Sequence, residues 1–293
     1  MNSFSNQHPF VLLVYYIAVL SITIFMMNPF VLSMSLFGSL LFYLMLTSVR
    51  KFWQEVRFYL FVFLLIALTN PLFVHKGETI LFFLNDNPVT YEAIIYGIFI
   101  SMMLIAVIFW SKAYSLLMTS DKFVYLFGKP IPKLSLVIAM ALRFIPNFKQ
   151  QIKQVHQTSK TMGLYTSDSI TDRILSGIRT FNTMIMWSLE NAIEQADAMK
   201  AKGYGLQGRT NFSLFKWDTR DTFTISITLI LFALIMYING SGGYQFIYYP
   251  VLTEWQLTSS EVGKLVIVLL LILLPSCMEV KENLQWKYAK LKI

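Results

Sequence analysis

Apolar residues follow two rhythms along this chain. Six runs, at residues 10–27, 30–49, 58–74, 93–110, 223–238 and 262–278, are apolar on every face. Each approaches the ~20 residues that a helix needs to cross a bilayer. Between the fourth and fifth runs the pattern becomes amphipathic. Ile145, Phe148, Ile152, Val155, Ser159 and Met162 recur at spacings of three and four, which collects them on one face of a helix. A second stripe runs from Ile170 through Ile174, Ile178, Phe181, Ile185 and Leu189 to Ala192, Ala196 and Met199. Gly163 follows the first stripe and Gly203 the second, each where a left-handed residue would stop a helix. Lys149, Lys153, Lys160, Glu190, Glu194, Asp197, Lys200 and Lys202 interrupt these segments, so both helices are expected outside the lipid or at its edge.

Shorter signals fill the gaps. Asn28-Pro29 separates the first two runs with almost no loop, and Asn70-Pro71 and Pro275 lie near the ends of others. Residues 79–84 read as an extended segment leading to a turn at residues 85–88. Residues 118–128 read as an N-cap and a short interfacial helix, closed by Gly128, Pro130 and Pro132. The apolar run 134–142 ends at Arg143 and is too short to span, so a separate helix in the inner leaflet is expected over 134–145. Gly240, Gly242 and Gly243 mark a turn-rich cap. Trp53, Trp110, Trp217, Trp255 and Trp286 fall near the ends of the apolar runs, as interfacial indoles do.

Composition supports lipid as part of the solvent: 56% of the 293 residues are hydrophobic and 14% are charged, against about 25% charged in soluble domains. The net charge of +8 is a topological signal rather than a nucleic-acid footprint, because its distribution is so uneven. All lysines and arginines except Lys76 and Lys264 fall in the connection between the second and third runs, in residues 111–222, or in the tail after Met278. Six crossings put these three segments on one side, which the positive-inside rule makes cytoplasmic, together with both termini. The start of the chain lacks a basic region and a small-residue cleavage site, so run 10–27 is read as a membrane helix. The expected fold is an all-α integral membrane protein. Four crossings lie in residues 1–111, a cytoplasmic or interfacial module in 112–221, two crossings in 222–278 and a basic tail in 279–293.

Catalytic patterns are missing. Gly128-Lys129 is followed by Pro130 and lacks the upstream glycine of a phosphate-binding loop. His8, His75 and His156 are scattered, with no zinc-protease pair and no nucleophile elbow. No metal site or cofactor is expected, and His156 reads as solvated or capping. The six runs hold essentially no ionisable residue, which argues against a self-sufficient ion-coupled carrier. Cys277, the single cysteine, reads as a small packed side chain.

The helix ends remain. The first closes Ser159-Lys160-Thr161-Met162-Gly163, the second Met199-Lys200-Ala201-Lys202-Gly203-Tyr204-Gly205. In each, a lysine precedes the glycine by three residues, where a cation complements the negative end of the helix dipole. The same ends read as docking knobs whose exposed carbonyls and ammonium groups can make charge-assisted hydrogen bonds to a partner.

At these residues the chain resembles the transmembrane T component of energy-coupling factor transporters, the ATP-driven vitamin and metal importers of bacteria and archaea. The likeness covers almost the whole chain. It rests on the His8-Pro9 start, on Leu142-Arg143-Phe144-Ile145-Pro146 as the opening of the first long helix, and on Asp197 to Gly205 as the close of the second. The resemblance implies that each long helix ends in an Ala-Arg-Gly-like motif docked on one of two ATPase subunits, while the membrane part holds a substrate-binding S component. The docking residues would be Lys160, Thr161, Met162 and Gly163 at one tip and Lys200, Ala201, Lys202 and Gly203 at the other, with Arg143 and Pro146 at the helix opening. Lys202 and Met162 stand where the family motif has arginine. Lysine keeps the charge without the bidentate fork, and methionine keeps neither. Unlike tips favour two distinct ATPases. The implied function is a non-catalytic energy-coupling subunit of the cell membrane, with ATP hydrolysed by its partners. The residues leave open a stand-alone carrier or channel gated by its cytoplasmic helices. An intramembrane enzyme lacks an acid–base or metal set.

Overall fold

A computed structural model describes residues 4–84, 87–128, 131–163, 170–204, 215–253 and 258–291. The helices are α1 (Pro9–Phe25), α2 (Pro29–Leu46), α3 (Val49–Phe73), α4 (Tyr91–Leu117), α5 (Ser120–Gly128), α6 (Pro132–Thr161), α7 (Ile170–Ala201), α8 (Thr219–Gly240) and α9 (Ser259–Leu291). An antiparallel hairpin of β1 (Ile80–Leu84) and β2 (Asn87–Thr90) separates α3 from α4, with Phe82 opposite Val89 and Leu84 opposite Asn87. The tip of its expected turn, residues 85 and 86, lies outside the described residues, as do Pro130, Gly205 and Trp255. Helices α2, α3, α4 and α8 and the Ser259–Glu282 part of α9 are long and apolar enough to cross a membrane. Helix α1 is equally apolar but has 17 residues, at the lower bound for a span.

The chain divides into two compact units, residues 1–119 with 215–293, and residues 120–214. In the first, α2 packs on α4 and α9, α3 on α4, and α1 on α4 and α8. The core is aromatic. Trp110 is fully buried, its ring centroid 6.1 Å from those of Tyr15, Tyr16 and Phe42. Its indole N–H donates to Ser35 Oγ at 3.2 Å, and Ser35 lies 2.6 Å from Thr23 Oγ1. A buried indole needs such an acceptor, and in a lipid-facing bundle it must come from a neighbouring helix. Prolines open α1 and α2, where the missing N–H costs nothing. His8 and Asn28 cap the two helices by accepting from Phe10 N and Phe30 N.

Four expectations need correction. Trp110, read as an interfacial indole, lies in the core, because α4 continues past it to Leu117. Residues 134–145 are not a separate helix; they form the first half of the 30-residue α6, which begins at Pro132. Arg143 and Pro146 therefore sit in mid-helix, both exposed, rather than at its opening. Pro132 occupies the first turn, where proline is pre-organised, and Pro146 deprives α6 of one ladder bond without ending it. Cys277 is exposed, because its side of α9 lines a groove beside α8 while the neighbouring Ser276 and Glu279 are buried.

Candidate functional site

The second unit contains α5, α6 and α7. Helix α5 is tied to α6 by Ser135 Oγ, which donates to Val124 O at 3.0 Å. Phe148 of α6 meets Trp187 of α7 edge-to-face, with centroids 5.3 Å apart. The residues that share each flanking groove fix the direction of the pair. Phe148, Ile152 and His156 share a groove of ≈ 700 Å³ with Gly177, Phe181 and Met184. Val137, Met140 and Phe144 share one of ≈ 560 Å³ with Ala196, Met199 and Tyr204. Numbers rise along α6 as they fall along α7, so the helices run antiparallel. Their C-terminal tips point to opposite ends of the pair, and 30 residues of α6 at 1.5 Å each separate them by about 45 Å.

Both tips are built the same way. Gly203 has φ 74° and Gly163 φ 71°, the left-handed conformation that glycine adopts at no steric cost. Gly203 N donates to Lys200 O at 2.9 Å and Tyr204 N to Met199 O at 3.0 Å, the paired bonds of a Schellman cap. At the other tip Gly163 N donates to Lys160 O at 3.1 Å. Lys202 and Met162 thus occupy the same cap position, one residue before the left-handed glycine. Lys160, Thr161, Met162, Lys200, Ala201 and Lys202 are exposed, and Gly203 is half-buried. Lys200 lies 3.8 Å from Asp197, an open pairing that leaves it accessible.

Only part of the apolar stripe of α7 borders α6, with Ala196 and Met199 beside Met140 and Phe144. Among the described side chains of α7, Met184 is the buried one, 6% exposed and flanked by half-buried Thr180, Trp187 and Asn191. Ile174, Ile178, Phe181 and Leu189 remain 58–66% exposed. An apolar surface of this extent marks an interaction face.

Ionisable contacts just beyond the apolar runs were not anticipated. Lys112 Nζ pairs with Glu55 Oε2 at 2.6 Å, and Tyr43 OH donates to the same oxygen at 2.6 Å, joining α4, α3 and α2. Lys112 also lies 4.6 Å from the centre of the Tyr59 ring. The N-terminal segment is held by two buried carboxylates: Phe4 N donates to Glu279 Oε1 at 3.1 Å and His8 N to Asp221 Oδ1 at 3.0 Å. Asp221 is also part of the capping box that opens α8. Among the described residues no cluster of His, Cys, Asp or Glu could hold a metal ion.

The family model CbiQ, described as cobalt transport protein, matches residues 1–213, a stretch that includes both glycine tips. This chain belongs to the CbiQ family. Among its similar proteins is the energy-coupling factor transporter transmembrane protein EcfT of Staphylococcus aureus, 28% identical over 197 residues, or 63% of this chain and 73% of the relative. The protein of that name from Listeria innocua is 26% identical over 226 residues, covering 71% and 84% of the two chains. The one from Bacillus subtilis is 27% identical over 193 residues, covering 62% and 71%. The chain is an EcfT/CbiQ-like T component of an energy-coupling factor transporter: a membrane protein that belongs to an assembly with partner subunits.

Proposed function

We propose that α6 and α7 are the coupling helices of an ATP-driven vitamin or metal-ion importer. In this reading the tips at Lys160–Gly163 and Lys200–Gly203 dock on two distinct ATPase subunits. The apolar face of α7 and the membrane helices hold a substrate-binding S component. Both termini and residues 112–221 lie on the cytoplasmic side of the cell membrane, the side that the lysine and arginine distribution favours. The chain hydrolyses nothing itself; its partners supply the ATP chemistry.

The observation that carries this reading is the matched pair of caps at opposite ends of an antiparallel helix pair. Each cap leaves backbone carbonyls turned outward at the negative end of the helix dipole and sets an exposed side chain beside them. A groove on a partner that supplies donors to those carbonyls can grip such a tip, and a carboxylate in that groove can also grip Lys202. A separation of about 45 Å gives each tip its own partner, so relative movement of two ATPases would act on both ends of one rigid element.

Lys202→Glu, with Gly203 retained, tests the charged contact. Loss of one charge-assisted hydrogen bond, worth ~1.5–3 kcal/mol, predicts roughly 10- to 100-fold weaker co-purification with the ATPases and unchanged helix content. Undiminished assembly and uptake would contradict the reading. Met162→Arg restores a fork-shaped donor at the other tip and is expected to leave docking intact or strengthen it; abolished assembly would count against it.

A further inference from the structure

A groove of ≈ 710 Å³ runs between α8 and α9. One part is apolar, walled by Phe223, Ile227 and Leu231 of α8 and by Leu270 and Leu274 of α9. Phe223 is 69% and Leu270 58% exposed, so none of the described residues covers this wall. The other part is charged: Arg220, Lys281 and Glu282 line it at the start of α8 and late in α9. Arg220 and Lys281 are exposed and form no ion pair among the described residues. Glu282 Oε2 is buried and accepts no hydrogen bond among the described residues. A buried carboxylate oxygen without a donor is costly, so an outside donor is called for.

We propose that this groove binds one anionic glycerophospholipid of the phosphatidylglycerol type. Its phosphate sits between Arg220 and Lys281, a headgroup hydroxyl donates to Glu282 Oε2, and an acyl chain lies along the Phe223–Leu231 wall. The formal charges of the three rim residues sum to one positive, which matches a lipid monoanion. From Thr219 to Leu231 the helix rises about 18 Å, long enough to carry much of one acyl chain. Neither a free anion nor a soluble peptide accounts for an apolar wall continuous with a membrane-crossing surface and a charged rim at one end. Basic pockets between membrane helices recognise anionic headgroups by this combination. The inference needs only that the chain lies in a bilayer, and it stands or falls separately from ATPase docking.

Cys277, the chain's single cysteine, lines the same groove and is exposed, so it reports occupancy directly. The full-length chain would be placed in nanodiscs of phosphatidylcholine alone or with increasing phosphatidylglycerol, and the rate of Cys277 alkylation by N-ethylmaleimide followed by mass spectrometry. Phosphatidylglycerol is expected to slow alkylation saturably, and the double variant Arg220→Gln/Lys281→Gln to require about thirtyfold more of it, the effect of two membrane-surface cations. The charge-retaining pair Arg220→Lys/Lys281→Arg should keep most of the protection, which separates loss of charge from loss of fold. Equal protection by phosphatidylcholine, protection by inorganic phosphate added to phosphatidylcholine nanodiscs, or loss of protection in the charge-retaining pair would each overturn the proposal.

Discussion

Gly203 shows how much of a docking element one residue decides. With φ at 74°, any other L-residue there pays roughly 1–2 kcal/mol for the left-handed conformation. Gly203→Ala is therefore expected to fray the last turn of α7 while the rest of the helix holds. Hydrogen exchange should speed up by about tenfold at the amides of Gly203 and Tyr204, the donors of the cap; unchanged exchange would show that the cap does not depend on glycine. This feature was legible in the sequence because the cap is local: a stripe that stops, a lysine, then glycine. The helix opening that the family likeness put at residues 142–146 was misplaced for the opposite reason: no local signal there starts a helix. Proline marks a helix start only where its missing N–H is unneeded, and in α6 the preceding turns were already helical from Pro132. Cys277 misled because burial depends on which neighbour faces a residue, and here that is an open groove.

At the level of the element, the periodicity of α7 identified its apolar face correctly but not what the face does. The contact with α6 through Met184 and Trp187 falls on an adjacent row, whereas Ile178, Phe181 and Leu189 stay open. Periodicity reports that a face is apolar and cannot report its partner. Phe181→Glu, at a residue 66% exposed, should therefore spare the fold. It should weaken association with the membrane partner by roughly tenfold or more, since burial of a phenylalanine contributes ~1.5–3 kcal/mol. Circular dichroism and co-purification together check this; retained association would remove the α7 face from the proposed S-component interface. The same limit applies to α3, whose long apolar run was evident. Among its residues only Phe52 and Pro71 are buried, and a charged latch from Glu55 to Lys112 and Tyr43 joins it to its neighbours.

For the whole molecule, contacts far apart in sequence were illegible. Phe4 and Glu279 are 275 positions apart, and His8 and Asp221 are 213 apart, yet these pairs seat the N-terminal segment on α9 and α8. Each carboxylate stands just outside an apolar run, so a search for charge inside the runs passes it by. The membrane class, by contrast, was accessible early, because lipid demands long uniform apolar runs and such runs leave little ambiguity; the family showed only through the likeness of a few motif stretches, the close of α7 above all. What unites the two units is the proposed flow of work from ATP-consuming partners through α6 and α7 to the membrane helices. Photo-crosslinking from positions 162 and 202 in the assembled transporter tests that claim most directly. The account predicts that each position captures an ATPase subunit, the two positions capturing different ones, and that yields change when ATP is bound. Capture of no ATPase from either position, or of only the membrane partner, would contradict it.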